Sequence, residues 1–526
     1  MLARYSFALA FAAVAVAGQS AAAPEPPRLY VDTAYVSPSG RTIVVAAGGN
    51  LQAALSSAQP GDVITLEQGA TFTGPFTLPA KSGSGPIVVR TSAPDGVFPP
   101  PGRRVDPSLA GLMPKLVAAS GTVITAARGA HDYRFVGLEI RPTTGAFLQN
   151  LVVLGSDETS IDQVPHHIVF DRCYIHGDAR RGARRGIALN ARHAAVVDSY
   201  LSDFKEAGAD SQAIAGWNGP GPFKIANNYL EGAGENLMFG GADPSVPDLV
   251  PSDIEIRGNH FSKPLAWKRN DPAYAGTGWT VKNLLELKNA RRVLIEGNLL
   301  EYNWADGQSG FAVLFTVRNQ DGRAPWSAVG DVAFVNNVVR GVGAGINILG
   351  TDDIRPSQRT KRILIRNNFF LDIGGERWGG GGTLFQILNG TSDVVIDHNT
   401  AFQAGNVITA EGPPNTDFVF TNNIVAHNAY GIAGTGTGPG GETLDRYFPE
   451  ATVKKNVIVG GRAAQYPKDN FFPSSPADVR FEDLAAGRHR LADKSAYRRV
   501  GLDGADLGAD VGALPAALRA ATNHRP

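Results

Sequence analysis

The sequence predicts an all-β chain wound as a single-stranded, right-handed parallel β-helix, a solenoid closed at its N-terminal end by a short capping helix. Three observations predict it. A short pattern, alternating apolar residues then a polar pair ending in Asn then another apolar pair, recurs along the chain. Its spacing is irregular, from 24 residues (Asn399 to Asn423) to 39 (Asn259 to Asn298), which suits coils with protruding loops and excludes a fixed-period repeat. Gly is abundant at 62, and charged residues are only 19%, as many short strands and turns require.

From the N-terminus, Arg4 followed by the apolar run Phe7–Ala17 and the small residues Ser20-Ala21-Ala22-Ala23 reads as an export leader, 1–22, cleaved after Ala22. The β-helix with its caps is expected over 23–512 and a C-terminal tail over 513–526. In AGGNLQAALSSAQPGDVITL, Asn50 begins an amphipathic helix, Pro60-Gly61-Asp62 turns, and a strand follows. The helix is expected to cover the open end of the core. The repeat then appears as KIANNYL (Asn228), IEIRGNHF (Asn259), LIEGNLL (Asn298), FVNNVV (Asn337), LIRNNFF (Asn368), VIDHNTA (Asn399), FTNNIV (Asn423) and KKNVIV (Asn456). Leu138, Cys173 and Ser199 hold the same place upstream. Asn suits this corner because it tolerates a left-handed backbone and its amide can bond along the stack. The turn-rich tail, with Asp503, Asp506 and Asp510 as turn acids, is expected to close the other end.

Lys+Arg and Asp+Glu balance at 49 each, so no global field favours nucleic acid or an anionic membrane. The single Cys173 excludes an intramolecular disulfide and a Cys-based zinc site. The histidines match no metal-binding spacing. A monomer is expected, exported or periplasmic, with an extended, acidic polysaccharide as partner.

GGNLQAALSSAQPGDVITLEQGATFTG, the Asn corners and the closing GADLGADVGAL resemble secreted bacterial right-handed parallel β-helix proteins of the pectate-lyase-like kind. The resemblance covers nearly all of 23–526. It implies a groove along the strands 185–191, 211–217, 235–241, 283–289, 311–319, 345–350 and 383–389, read as those following the Asn corner. LELKNARRVLIEGN is similar to a strand and corner of the alginate-lyase and chondroitinase-B group, which carries Arg at the place of Lys288 and a corner like Leu294-Ile295-Glu296-Gly297-Asn298. One coil earlier that group has a calcium-binding acid and a base lysine. Glu235 stands for the acid, which brings in Ca²⁺ as the one candidate cofactor, and Gly240 stands where the lysine would be.

If Leu285 and Leu287 point inward, Glu286 and Lys288 face the groove, with Thr316, Arg318 and Asn347 on the next coils. Long neighbouring loops bring Trp267, Lys268, Arg269, Glu301, Trp304 and Asp306, aromatics and charges suited to a sugar. Acidic polysaccharide cleavage by β-elimination needs a neutralised carboxylate and a base. Arg318 and Lys288 are the candidates, with Glu286 completing the centre. A glycoside hydrolase using a carboxylate pair and a non-catalytic, adhesin-like binder are the alternatives.

Overall fold

The structure, a computed structural model, describes residues 21–522. The expected leader lies outside the described residues except for its last two positions. Each coil gives one strand to each of three long parallel sheets of 14, 13 and 12 strands, called first, second and third below. A representative coil runs Ala290–Glu296 in the first sheet, Leu299–Asn303 in the second and Phe311–Thr316 in the third, before Val329–Val335 opens the next. Successive coils lie about 4.8 Å apart.

The polar pair at the corner divides two tasks between its members. The residue before the recurring Asn takes the left-handed backbone: Asn227 (φ 54°), Asn336 (φ 57°), His398 (φ 52°) and Gly297 (φ 66°). The Asn itself turns inward as a ladder. Asn298 Oδ1 accepts from the Asn259 backbone N–H at 2.9 Å, and Asn298 Nδ2 donates to Ile256 O at 2.9 Å and Asn337 Oδ1 at 3.0 Å. Ser199 Oγ continues the column by accepting from Cys173 N at 2.9 Å. Asn470, at the far end, accepts from Asn456. The expectation that the ladder Asn itself adopts the left-handed form is therefore corrected.

Inward side chains stack in rows. In the third sheet Ile187, Ile214, Leu237, Leu285, Val313, Ile346, Phe385 and Ile408 are in register and buried in one continuous core. At the N-terminal end a helix, Leu51–Ser57, buries Leu51, Ala54 and Leu55 against that core, with Asn50 accepting from Ala53 N. At the C-terminal end a helix at Gly441–Tyr447 inserts Leu444 and Tyr447. The tail beyond it does not close the end. It runs back over the second sheet, where Leu507 packs near Ile424 and Val457, and Leu514 and Leu518 pack near Val338 and Phe369.

The three outer faces are treated differently. The segment 22–36 lies along the first sheet. Phe98 and Met113 join Tyr174 and Tyr200 on the second, with the tail further along. Among the described residues the third sheet carries no such strap. Loops border its two edges along the expected groove, with Lys282 and Gln308 at one and Asp352 at the other.

Candidate functional site

The strands lining the groove are those expected, but they do not directly follow the Asn corner: a second-sheet strand intervenes in each coil. They also break strict alternation. Leu284 and Leu285 are both in the core, as are Ala312 and Val313, so residues three apart, such as Asn283 and Glu286, stay outside it.

Two rows of outward side chains result. In the first, Asn150, Arg185, Gln212, Glu235 and Asn283 are in register on adjacent coils. They are bonded in sequence: Arg185 Nη1 to Asn150 Oδ1 at 2.9 Å, Arg185 Nε to Gln212 Oε1 at 3.0 Å, and Gln212 Nε2 to Glu235 Oε2 at 2.8 Å. Lys282 Nζ lies 3.1 Å from Glu235 Oε1 and donates to Asp210 Oδ2 at 2.7 Å. In the second row, Met238, Glu286, Leu314 and Asn347 are in register. Asn283 Nδ2 lies 3.3 Å from Glu286 Oε2, and Lys288 Nζ lies 3.5 Å from Glu286 Oε1.

The electrostatics follow from burial. Glu235 is 0% exposed, and burial, then the charge of Glu286, pushes its carboxyl above the usual range. Burial acts to lower the Lys282 ammonium, but Glu235 and Asp210 outweigh it and raise its pKa. Burial, with Arg184 nearby, pulls the Arg185 guanidinium down to about 10, and no carboxylate among the described residues forms an ion pair with it. Beneath the row, burial lowers Lys263 to about 7. This ammonium donates to Ala233 O at 2.9 Å and Asn236 Oδ1 at 3.0 Å and ties the turn together.

The expected centre is partly assembled. Glu286, Lys288 and Arg318 share one face, and Arg318 N donates to Lys288 O on the neighbouring coil at 2.9 Å. Glu286 is only 1% exposed, so it steadies Lys288 and does not meet a ligand directly. Lys288 keeps 16% of its side chain accessible. A Cβ on Gly240 (φ 100°) would fall 2.7 Å from Lys288 Cβ, so Lys288 occupies the space a side chain at 240 would need. Arg318 is held by Asp352 at 2.7 Å and by Asp353. Asp352 is buried, whereas the Asp353 side chain is 51% exposed. Asn347 is in the second row, and its Oδ1 is a buried acceptor without a hydrogen-bond partner among the described residues.

Other expected contacts are corrected. Trp267 and Trp304 are buried together with Ala233 and Val281, so neither ring offers a face for stacking. Glu301 is on the second sheet, bound by His260 at 2.7 Å and Arg340 at 2.7 Å. Burial raises its carboxyl, but His260 and Arg340 more than reverse this. Asp306 accepts from Val281 N at 3.0 Å and serves as a loop tie. Lys268 is buried, and Arg269 is exposed beside Gly278. The residues present do not fit calcium at Glu235: its oxygens face Gln212 and the Lys282 ammonium, which repels a cation, and no cluster of three or more His, Cys, Asp or Glu among the described residues can hold a metal ion.

Sequence reasoning missed Lys282, Gln212 and Asp210, and an open cleft of about 300 Å³ at the groove edge lined by Phe147, Arg181, Glu206, Ala207 and Trp279. The doublet Leu284-Leu285 was the available signal, because two adjacent inward residues move Asn283 and its row outward. Beside the cleft, Arg184 is paired with Glu206, and Lys205 Nζ lies 5.3 Å from the Trp279 ring centre.

Neither a family model nor a curated protein matches the sequence. Among solved structures, a PL6-family alginate lyase (AlyGC) superposes with a TM-score of 0.55 at 14% identity, covering 90% of this chain and 58% of that one. The chain thus spans little more than half of that enzyme's length. A mannuronic-acid-specific family 6 polysaccharide lyase from human gut microbiota superposes with a TM-score of 0.50 at 12% identity, covering 84% and 93%. At that identity the likeness is one of fold, and with the three all-parallel sheets it makes the chain a right-handed parallel β-helix protein of pectate-lyase-like architecture.

Proposed function

We propose that this is an exported polysaccharide lyase that binds an extended, acidic polysaccharide along the third sheet and cleaves it by β-elimination. The observation that carries the reading is the line of charged and amide groups on adjacent coils of the one face over which the described residues lay no strap. Lys288 is the base that removes the proton beside a uronate carboxylate. The glycosidic C–O bond at the next carbon then breaks, its oxygen takes a proton, and a C=C bond forms. Arg318 neutralises the carboxylate, and the half-exposed Asp353 is the partner it exchanges for substrate. Coils away, Arg185, with only amide oxygens bonded to it, receives a second carboxylate of the same polymer. That AlyGC is described as an alginate lyase supports the same class.

The test is a panel of uronic-acid polymers followed by ultraviolet absorbance of the unsaturated product. Lys288→Ala should abolish product formation while the fold, followed by circular dichroism, is retained. Elimination that survives this substitution removes Lys288 as the base.

One observation favours a second reading. Glu235, its carboxyl raised by burial and by the neighbouring Glu286, resembles the acid of a glycoside hydrolase's carboxylate pair. Both carboxylates are covered, which counts against it. New reducing ends without the ultraviolet signal would select it. No product from any polymer would leave a binding role.

A further inference from the structure

The segment Ala22-Ala23-Pro24-Glu25-Pro26-Pro27-Arg28 contacts the first sheet with a strict period of three. The backbone N–H groups of Ala22, Glu25 and Arg28 donate to the carboxylates of Asp393 (2.9 Å), Asp331 (3.0 Å) and Asp253 (2.9 Å). Pro24 and Pro27 are buried, and the residues between are exposed. Three residues per turn is the period of a polyproline II helix, whose rise of about 3.1 Å per residue advances roughly 9.3 Å per turn. The acceptors are two coils apart, since the strand of Arg292 lies between those of Asp253 and Asp331 and the strand of Arg362 between those of Asp331 and Asp393. Two coils span about 9.6 Å. Segment and scaffold are therefore commensurate.

The acceptors are built for this task. Asp253, Asp331 and Asp393 each sit in the left-handed region, at φ 61°, 57° and 55°, at the same position of their strands. The intervening Arg292 and Arg362 clamp Asp253 (2.7 Å) and Asp331 (2.5 Å). Further along, Val31 enters an apolar patch with Ala195 and Val197, Lys224 Nζ donates to Thr33 Oγ1 at 2.8 Å, and Arg134 donates to Thr33 O at 2.9 Å.

We propose that residues 23–34, which remain after the expected cleavage behind Ala22, form a strap, in polyproline II over its first turns, whose function is to couple distant coils, so that the solenoid opens as one body. In a solenoid each coil contacts only its neighbours, so opening can begin anywhere and spread. With one cysteine in the chain, no disulfide crosses the stack. On the first sheet the strap supplies a long-range connection, from the strand of Asp331 to that of Arg134, as the tail does on the second.

Proline substitution tests this without disturbing the conformation, because proline favours polyproline II geometry but has no N–H. Glu25→Pro with Arg28→Pro removes two donors. Glu25→Ala with Arg28→Ala, which loses the same side chains and their ion pair but keeps both N–H groups, is the control. In the double proline variant, hydrogen exchange of residues 29–36 should accelerate on the order of tenfold, and exchange in the first-sheet strands between Arg134 and Asp331 should become uneven from coil to coil. The alanine control should match the parent chain. Equal exchange in the double variant and the parent, or a control as perturbed as the double variant, would overturn the proposal.

Discussion

At the scale of single residues, the corner pair shows how two demands met at one turn are shared. The first residue accepts a strained backbone, which Gly, Asn or a charged residue can do on the surface, and the second is usually an amide because it bonds in both directions, as the Ser199 hydroxyl also does. This explains why the column was legible in the sequence while its geometry was not: the pattern marks the pair but does not say which member does what. It also sets the cost of losing one amide. Asn298→Ala would leave the buried Asn259 N–H without its partner and remove the amide bond to Ile256 O. Each orphaned group costs about 1–3 kcal/mol, so urea denaturation should show a loss of that order or above. A loss under about 0.5 kcal/mol, a typical surface effect, would mean that the ladder contributes little. The tryptophans were illegible for a related reason. Trp267 and Trp304 have the composition of a stacking platform, and only their packing on Ala233 and Val281 reveals anchors.

At the scale of elements, the edge where the third sheet turns into the first carries four imidazoles. His131 stacks on His166 at 4.8 Å, His167 stacks on His193 at 4.6 Å, and the Nδ1 atoms of His166 and His167 are 2.7 Å apart. Asp132 and Arg192 face them. Burial, then the positive charge of Arg192, pulls His166 down to about 4, and burial lowers His167 and His193. A histidine whose pKa falls on folding favours the native state above its unfolded value near 6.5, and this contribution is lost as pH falls toward 4. The urea midpoint should therefore decline between those two values, before the lowered carboxylates of Asp253 and Asp331 begin to protonate. The double variant His166→Gln, His167→Gln should flatten that decline, and an unchanged profile would refute the assignment. Sequence spacing separated these histidines from metal sites, but their convergence depends on register between coils of unequal length, which the sequence does not display. The row from Arg185 to Asn283 was hidden in the same way.

At the scale of the whole molecule, the two ends of the described residues lie along the stack, one on the first sheet and one on the second, and the third face carries neither. The extended groove with Arg185 toward one end and Lys288 and Arg318 toward the other predicts length-dependent, charge-dependent binding. Arg185→Gln should weaken binding of a uronate polymer by about 1.5–3 kcal/mol, the usual contribution of a charged hydrogen bond, and should reduce its sensitivity to salt. Calorimetry at two ionic strengths measures both, and an undiminished salt response would place the polymer elsewhere. The architecture itself was readable from the Asn repeat alone, because every coil repeats the same corner. The paths of the two ends were not, since they obey the outer surface of coils that come later in the chain.

Under the proposed function, Lys288 one coil from Gly240 illustrates what a scaffold with translational near-symmetry permits. A reactive amine can be deleted at one level and reinstated at the next, displaced by a single step of about 4.8 Å, with the same side chains still flanking it. Catalytic groups in such a protein hold an address made of two coordinates, a position within the turn and a level along the axis, and the second can drift while the first is kept. Alignments that proceed residue by residue would register that drift as loss.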